Sequence, residues 1–110
     1  MAPLVSHLLE LGLIEARANH QKECFEAAIG FARAEGNLLA PETSHAVKAA
    51  KDEALACKES GEAKVIAFNA SGHGHFDMGA YEMYFAGDLV DCAFPEEKVA
   101  EALAKLPPID

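Results

Sequence analysis

The chain has 110 residues, 51% of them apolar and 25% charged, which is enough for one small hydrophobic core and too apolar for intrinsic disorder along its whole length. Its formal charge of −9 argues against nucleic acid or an anionic membrane surface as partner, because either needs a concentrated patch of Lys and Arg. No run approaches the roughly 20 apolar residues of a membrane span, and the start lacks a basic stretch followed by an apolar one, so the expectation is a soluble cytoplasmic protein without a membrane partner.

Pro3 suits the first turn of a helix, and Leu4, Val5, Leu8 and Leu11 recur at helical spacing before Gly12 offers a stop. Leu13 to Ala18 sets Leu13, Glu15 and Arg17 against Ile14, Ala16 and Ala18, the pattern of a half-buried strand closed by Asn19 and His20. A second helix is predicted from Gln21 to Glu35, with Cys24, Ala28, Phe31 and Ala32 on one face, Phe25 and Ile29 beside them, and Gly36 as its end.

Pro41, Thr43 and Ser44 open a third helix whose Val47, Ala50, Ala54 and Cys57 form an apolar stripe, terminated at Ser60 and Gly61. Lys48, Lys51, Asp52 and Glu59 make its solvated face. Val65 to Phe68 is a continuous apolar run, as in a parallel strand covered on both faces, and Ser71 to Asp77 follows as a loop at its C-terminal end. Met78 to Ala86 and Pro95 to Lys105 are further predicted helices, the latter burying Val99, Ala102, Leu103 and Leu106 before Pro107 and Pro108 stop the chain.

Strands alternating with helices predict a single α/β segment over residues 1–110, a partial parallel sheet with flanking helices. Two strands make a poor domain, so the sheet is expected to be completed by residues from outside the chain. Cys24, Cys57 and Cys92 are odd in number and more than thirty residues apart, which predicts buried thiols rather than a disulfide framework or a metal clip.

The stretch Asn69-Ala70-Ser71-Gly72-His73-Gly74-His75-Phe76-Asp77 carries the chemistry. Gly72 and Gly74 permit close backbone approach at the end of the predicted strand, where open α/β sheets bind ligands, and Ser71, His73, His75 and Asp77 supply polar groups. One reading is a zinc site on His73, His75 and Asp77, which resembles the HxHxDH motif of metallo-β-lactamase-fold hydrolases. Met78, however, stands where that motif has its last histidine, and no histidine follows His75.

The other reading draws on more of the chain: Ala34-Glu35-Gly36, Ala40-Pro41-Glu42-Thr43-Ser44-His45-Ala46, the apolar run, and Asn69-Ala70-Ser71-Gly72. In that order they resemble the C-terminal part of the tryptophan synthase β-chain family. SGHGHFD in place of the usual SGRGDKD, and the opening Met-Ala-Pro-Leu-Val-Ser-His-Leu, resemble its divergent second class. The resemblance runs from residue 1 to about 88, leaving 89–110 as a tail with a terminal helix.

This resemblance implies the C-terminal piece of a fold-type-II pyridoxal-phosphate enzyme that joins serine to indole by β-replacement. It makes Ser71 the donor to the pyridine nitrogen, puts Gly72 beside it, and matches Glu35 to a glutamate near the cofactor ring; no role passes to His73 or His75. The family's anchoring lysine and glycine-rich phosphate loop have no counterpart here, so the chain is expected to be inactive alone and not to retain the cofactor. The implied partners are the rest of the β chain, a second copy, and a tryptophan synthase α chain. A free-standing, non-enzymatic α/β association domain is the alternative of another class.

Overall fold

The computed structural model describes residues 2–91, which form four helices: α1 (Pro3–Glu10), α2 (Gln21–Glu35), α3 (Pro41–Ser60) and α4 (Met78–Ala86). All four stand where apolar spacing and Pro or Gly boundaries place them. Pro3 and Pro41 sit in the first turns of α1 and α3, where a missing N–H costs nothing. Gly36 ends α2 with φ at 74°, a conformation that a Cβ would strain, and its N–H caps the Ala32 carbonyl. The predicted helix from Pro95 to Lys105, and Cys92, lie outside the described residues.

Helix α2 is the hub, packed by α3 and by α4. Phe25 and Ala28 join Tyr81 and Leu89 in one buried cluster, with Ile29 and Tyr84 at its margin. The Phe25 ring meets Tyr81 edge-on at 4.9 Å and stacks on Tyr84 at 5.7 Å. Burying such a side chain contributes about 1.5–3 kcal/mol, and each aromatic pair about 0.5–1.5 kcal/mol more. A second cluster gathers Ala27, Leu39 and Val47, with Phe31 against it.

The start of α2 is held from the far end of the described chain. Gln21 Nε2 donates to the Val90 carbonyl at 2.5 Å, and the Lys22 N–H donates to Asp91 Oδ1 at 3.1 Å. The Asp91 carboxylate therefore occupies the positive end of the α2 dipole. Residues 89–91 thus pack as part of the helical unit, although they lie beyond the stretch whose resemblance was legible.

Two expectations need correction in detail. Among the described residues the helices of the expected α/β segment are present and no strand is, so the partial parallel sheet is not shown by this chain: Leu13 to Ala18 and Val65 to Phe68 run without ladder hydrogen bonds. A strand is stable only when its N–H and C=O groups find a neighbour, and these two segments find none here. Val65 is wholly exposed. One carboxylate of α3 instead meets both neighbourhoods, with Arg17 Nη1 and Nη2 3.3 Å from Glu53 Oε2 and Lys64 Nζ, just before Val65, 3.5 Å from Glu53 Oε1, while the Phe68 ring meets Phe31 of α2 edge-on at 5.7 Å.

The second correction concerns Lys48, expected on a solvated face. Its ammonium lies half-buried, 2.5 Å from Asp52 and 3.6 Å from Glu23 on α2. The Asp52 hydrogen bond, with both carboxylate charges, holds it above its ordinary value. Helix α1 forms as expected but buries nothing, leaving Leu4, Val5, Leu9 and Leu11 exposed.

The hub role of α2 is testable by urea unfolding. Phe25→Ala should cost about 3–5 kcal/mol, as expected for an aromatic removed from a core. Gly30→Ala, at a helix position with open space around it, should instead stabilise by about 0.5–1 kcal/mol. Equal effects of the two would show that α2 is not the packing centre.

Candidate functional site

The α2–α3 connection and the loop before α4 run antiparallel and are paired at Leu39 and His73. The Ala40 N–H donates to the Gly72 carbonyl and the Gly74 N–H to the Leu38 carbonyl, both at 3.0 Å. A Cβ on Gly74 would stand 2.5 Å from the Leu39 carbonyl oxygen and 3.1 Å from Leu38 Cγ, so only glycine fits. At Gly72 the nearest atom to such a Cβ would be Ala40 Cβ, at 3.3 Å. The buried Tyr81 hydroxyl, on α4, donates to the Leu39 carbonyl at 2.6 Å and closes the arrangement.

This pairing sets Ser71 beside the first turn of α3. The Ser71 and Thr43 hydroxyls are 3.0 Å apart; Thr43 is buried and Ser71 is exposed. Thr43 thereby has its hydrogen-bond partner, while Ser71 keeps capacity for a second one. Ser44, fully buried behind it, donates to the Pro41 carbonyl.

Ser71, Gly72, His73 and His75 line a cleft of about 620 Å³ together with Phe31 and the Gly36 to Leu39 connection. The volume suits a small organic ligand. Of the residues singled out by sequence, Ser71 and Gly72 are brought together here. Glu35 ends α2 one residue before Gly36, with its side chain exposed and its carbonyl accepting from Asn37 Nδ2 at 3.2 Å; it is not among the lining residues. Thr43 and Tyr81 belong to the site and were missed, because their partners lie 28 and 42 residues away and no spacing rule connects them.

The histidine loop does not assemble a metal centre. The His73 and His75 rings are 5.0 Å apart, whereas the Asp77 backbone starts α4, its carbonyl accepting from Ala80 and Tyr81. Among the described residues, no group of three His, Cys, Asp or Glu side chains is gathered to hold an ion. The zinc reading has no third ligand there. His45, in the first turn of α3, is exposed.

Comparison with protein-family models finds no match. Among curated proteins, the chain is 61% identical over 90 residues to tryptophan synthase beta chain 2 of Aquifex aeolicus, covering 82% of this chain and 21% of that protein. It is 55% identical over 89 residues to tryptophan synthase beta chain 2 of Methanosarcina acetivorans, covering 81% and 20%. To the tryptophan synthase beta chain of Pyrococcus horikoshii it is 50% identical over 91 residues, covering 83% and 20%. The chain spans about a fifth of the length of the curated relatives it matches.

Two measurements probe the pairing. Gly74→Ala should cost about 1–3 kcal/mol in urea unfolding and Gly72→Ala distinctly less, because one Cβ meets fixed backbone and the other a methyl group. The reverse order would mean that the pairing is not a close one.

Burial, and behind it the Asp77 carboxylate, push the Tyr81 phenol above its ordinary value of 10.0. Folded Tyr81 therefore keeps its proton where the unfolded chain loses it. Its contribution is complete below about pH 10 and is lost as pH rises through the higher folded value. Tyr81→Phe should lower stability by about 0.5–1.5 kcal/mol at neutral pH and flatten the fall in stability above pH 10. An unchanged alkaline profile would count against a buried phenol at Leu39.

Proposed function

The chain belongs to the tryptophan synthase β-chain family, and from that premise we propose that it forms the C-terminal wall of a pyridoxal-phosphate pocket in an enzyme joining serine to indole. The observation that supports this most directly is the Ser71 hydroxyl, set on the cleft and held 3.0 Å from Thr43. Either hydroxyl can donate in that pair; with a ligand acceptor in the cleft, Thr43 would donate to Ser71 and leave the Ser71 proton for that acceptor. Gly72, beside it, lets the backbone come close to a flat ring.

The residues present suit that cofactor on its ring-nitrogen side. When bound, pyridoxal phosphate supplies an electron sink for the amino acid being transformed. Ser71 would donate to the ring nitrogen without protonating it, since an alcohol is a neutral donor where a carboxylate would favour a charged ring. That weakens the sink, which favours elimination and replacement at the β-carbon over transamination. Glu35, at the end of α2, would be the counterpart of the family glutamate near the ring, although its exposed side chain is not among the cleft-lining groups.

The lysine that anchors the cofactor and the loop that binds its phosphate would come from the remaining length of the β chain. On this reading the chain by itself is inactive and does not retain the cofactor. The remaining chain would also pair Val65 to Phe68 into a parallel sheet and cover α1, where Leu4, Leu9 and Leu11 are exposed. Self-association, an α-chain partner and a cytoplasmic location go with the same proposal. No helix among the described residues is long and apolar enough to cross a membrane.

The alternative, a free-standing association domain, is favoured by the closed packing of α2 with α3 and α4, in which no buried side-chain polar atom among the described residues lacks a partner. A chimaera separates the two readings. This sequence, replacing the matching segment of the Aquifex aeolicus relative, should retain pyridoxal phosphate and make tryptophan from serine and indole. Ser71→Asp in that chimaera should slow the reaction on the order of tenfold or more. A folded chimaera that binds the cofactor and makes no tryptophan would refute the proposal, as would tryptophan formation by the 110-residue chain alone.

A further inference from the structure

His73 and His75 carry no role transferred from the family, yet His73 is the centre of the loop that walls the Ser71 cleft. Its ring lies 5.0 Å from that of His75 and 5.3 Å from that of Phe76. Burial contributes little to this arrangement, since His73, His75 and Phe76 are all exposed and Phe76 is 91% so. Hydrogen bonds therefore set the path of the loop. The Gly74 N–H is fixed by the Leu38 carbonyl and the Asp77 N–H by the Gly74 carbonyl at 2.9 Å. Between them the His75 N–H donates to His73 Nδ1 at 3.3 Å.

We infer that His73 is the positioning residue of this loop, its Nδ1 accepting from the His75 backbone and so holding the His75 side chain in the wall of the Ser71 cleft. An imidazole accepts through Nδ1 only when that nitrogen carries no proton, so the neutral ring holds its proton on Nε2. The backbone of His73 is fixed on both sides by the pairing with Leu38 to Ala40, which gives its side chain a firm base from which to turn the next residues. The two bonds differ in kind: the pairing fixes where the loop begins, and the imidazole fixes how it turns. That the turned loop shapes a cofactor wall rests on the proposed function; the hydrogen bond itself does not.

The inference is tested on the 110-residue chain without cofactor. Nitrogen NMR of the imidazole should show neutral His73 with Nδ1 unprotonated and the proton on Nε2; a proton on Nδ1 would overturn the assignment. Asn places a side-chain oxygen where Nδ1 stands, whereas Gln reaches toward the Nε2 position and Ala offers nothing. Amide exchange at His75 should stay within about twofold of the original in His73→Asn and quicken about fivefold in His73→Gln and His73→Ala, with the Gly74 amide unchanged. Rescue by Gln as good as by Asn, or no change in any variant, would defeat the inference. The tautomer is read on the unaltered chain, so a variant that fails to fold leaves the test decided. Failure of the cofactor reading would appear in the chimaera and not in these measurements.

Discussion

The short antiparallel contact between Leu38 to Ala40 and Gly72 to Gly74 is the constraint on which the rest depends. It ties the turn between α2 and α3 to the turn before α4, so three helices share one backbone junction. Its closeness comes from the absent side chain at Gly74, where backbone oxygen occupies the space of a Cβ. Tyr81 completes it by giving the Leu39 carbonyl a donor within the core, where an unpaired carbonyl would cost more than a hydrogen bond returns. Ser71 is placed on the cleft because this junction is placed.

The helices were legible in the sequence because their limits are written locally. Pro41 with Thr43 and Ser44 opens α3, Gly36 closes α2, and the helical recurrence of Cys24, Ala28, Phe31 and Ala32, with Phe25 and Ile29 beside them, marks the packed side of α2. The strands at Leu13 and Val65 were read from alternation and apolar runs, which report what a segment needs and not whether a neighbour is there to supply it. Ser71 and Gly72 were legible as a motif. Thr43 was read as a helix-opening residue and Tyr81 as an ordinary helical position, since their contacts depend on how distant turns meet. Lys48 was misjudged for the same reason: Glu23 lies on another helix.

On the proposed reading, the same junction would let so short a length carry part of a ligand site. Cleft walls come from two turns and Phe31 of α2, and the packing of α2 and α4 against each other supports those turns from behind. The Ser71 hydroxyl and the His75 backbone are both held by partners inside this stretch, Ser71 by Thr43 and the His75 N–H by His73 Nδ1. Its apolar surface is treated differently, with Val65 and the α1 leucines facing water. Polar geometry is settled locally, while hydrophobic burial is not.

Glu53 gives this difference a consequence for the assembly proposed above. One half-exposed carboxylate receives Arg17 from one sheetless segment and Lys64, just before the other, so α3 holds a point on the course of each. Each ion pair alone is weak, on the order of 1 kcal/mol or less. Their effect is on entropy: a segment already confined near its final course loses less freedom when a neighbour docks than one sampling open solvent. In the assembly proposed above, α3 would therefore hold both stretches near the course along which a neighbouring strand would meet them.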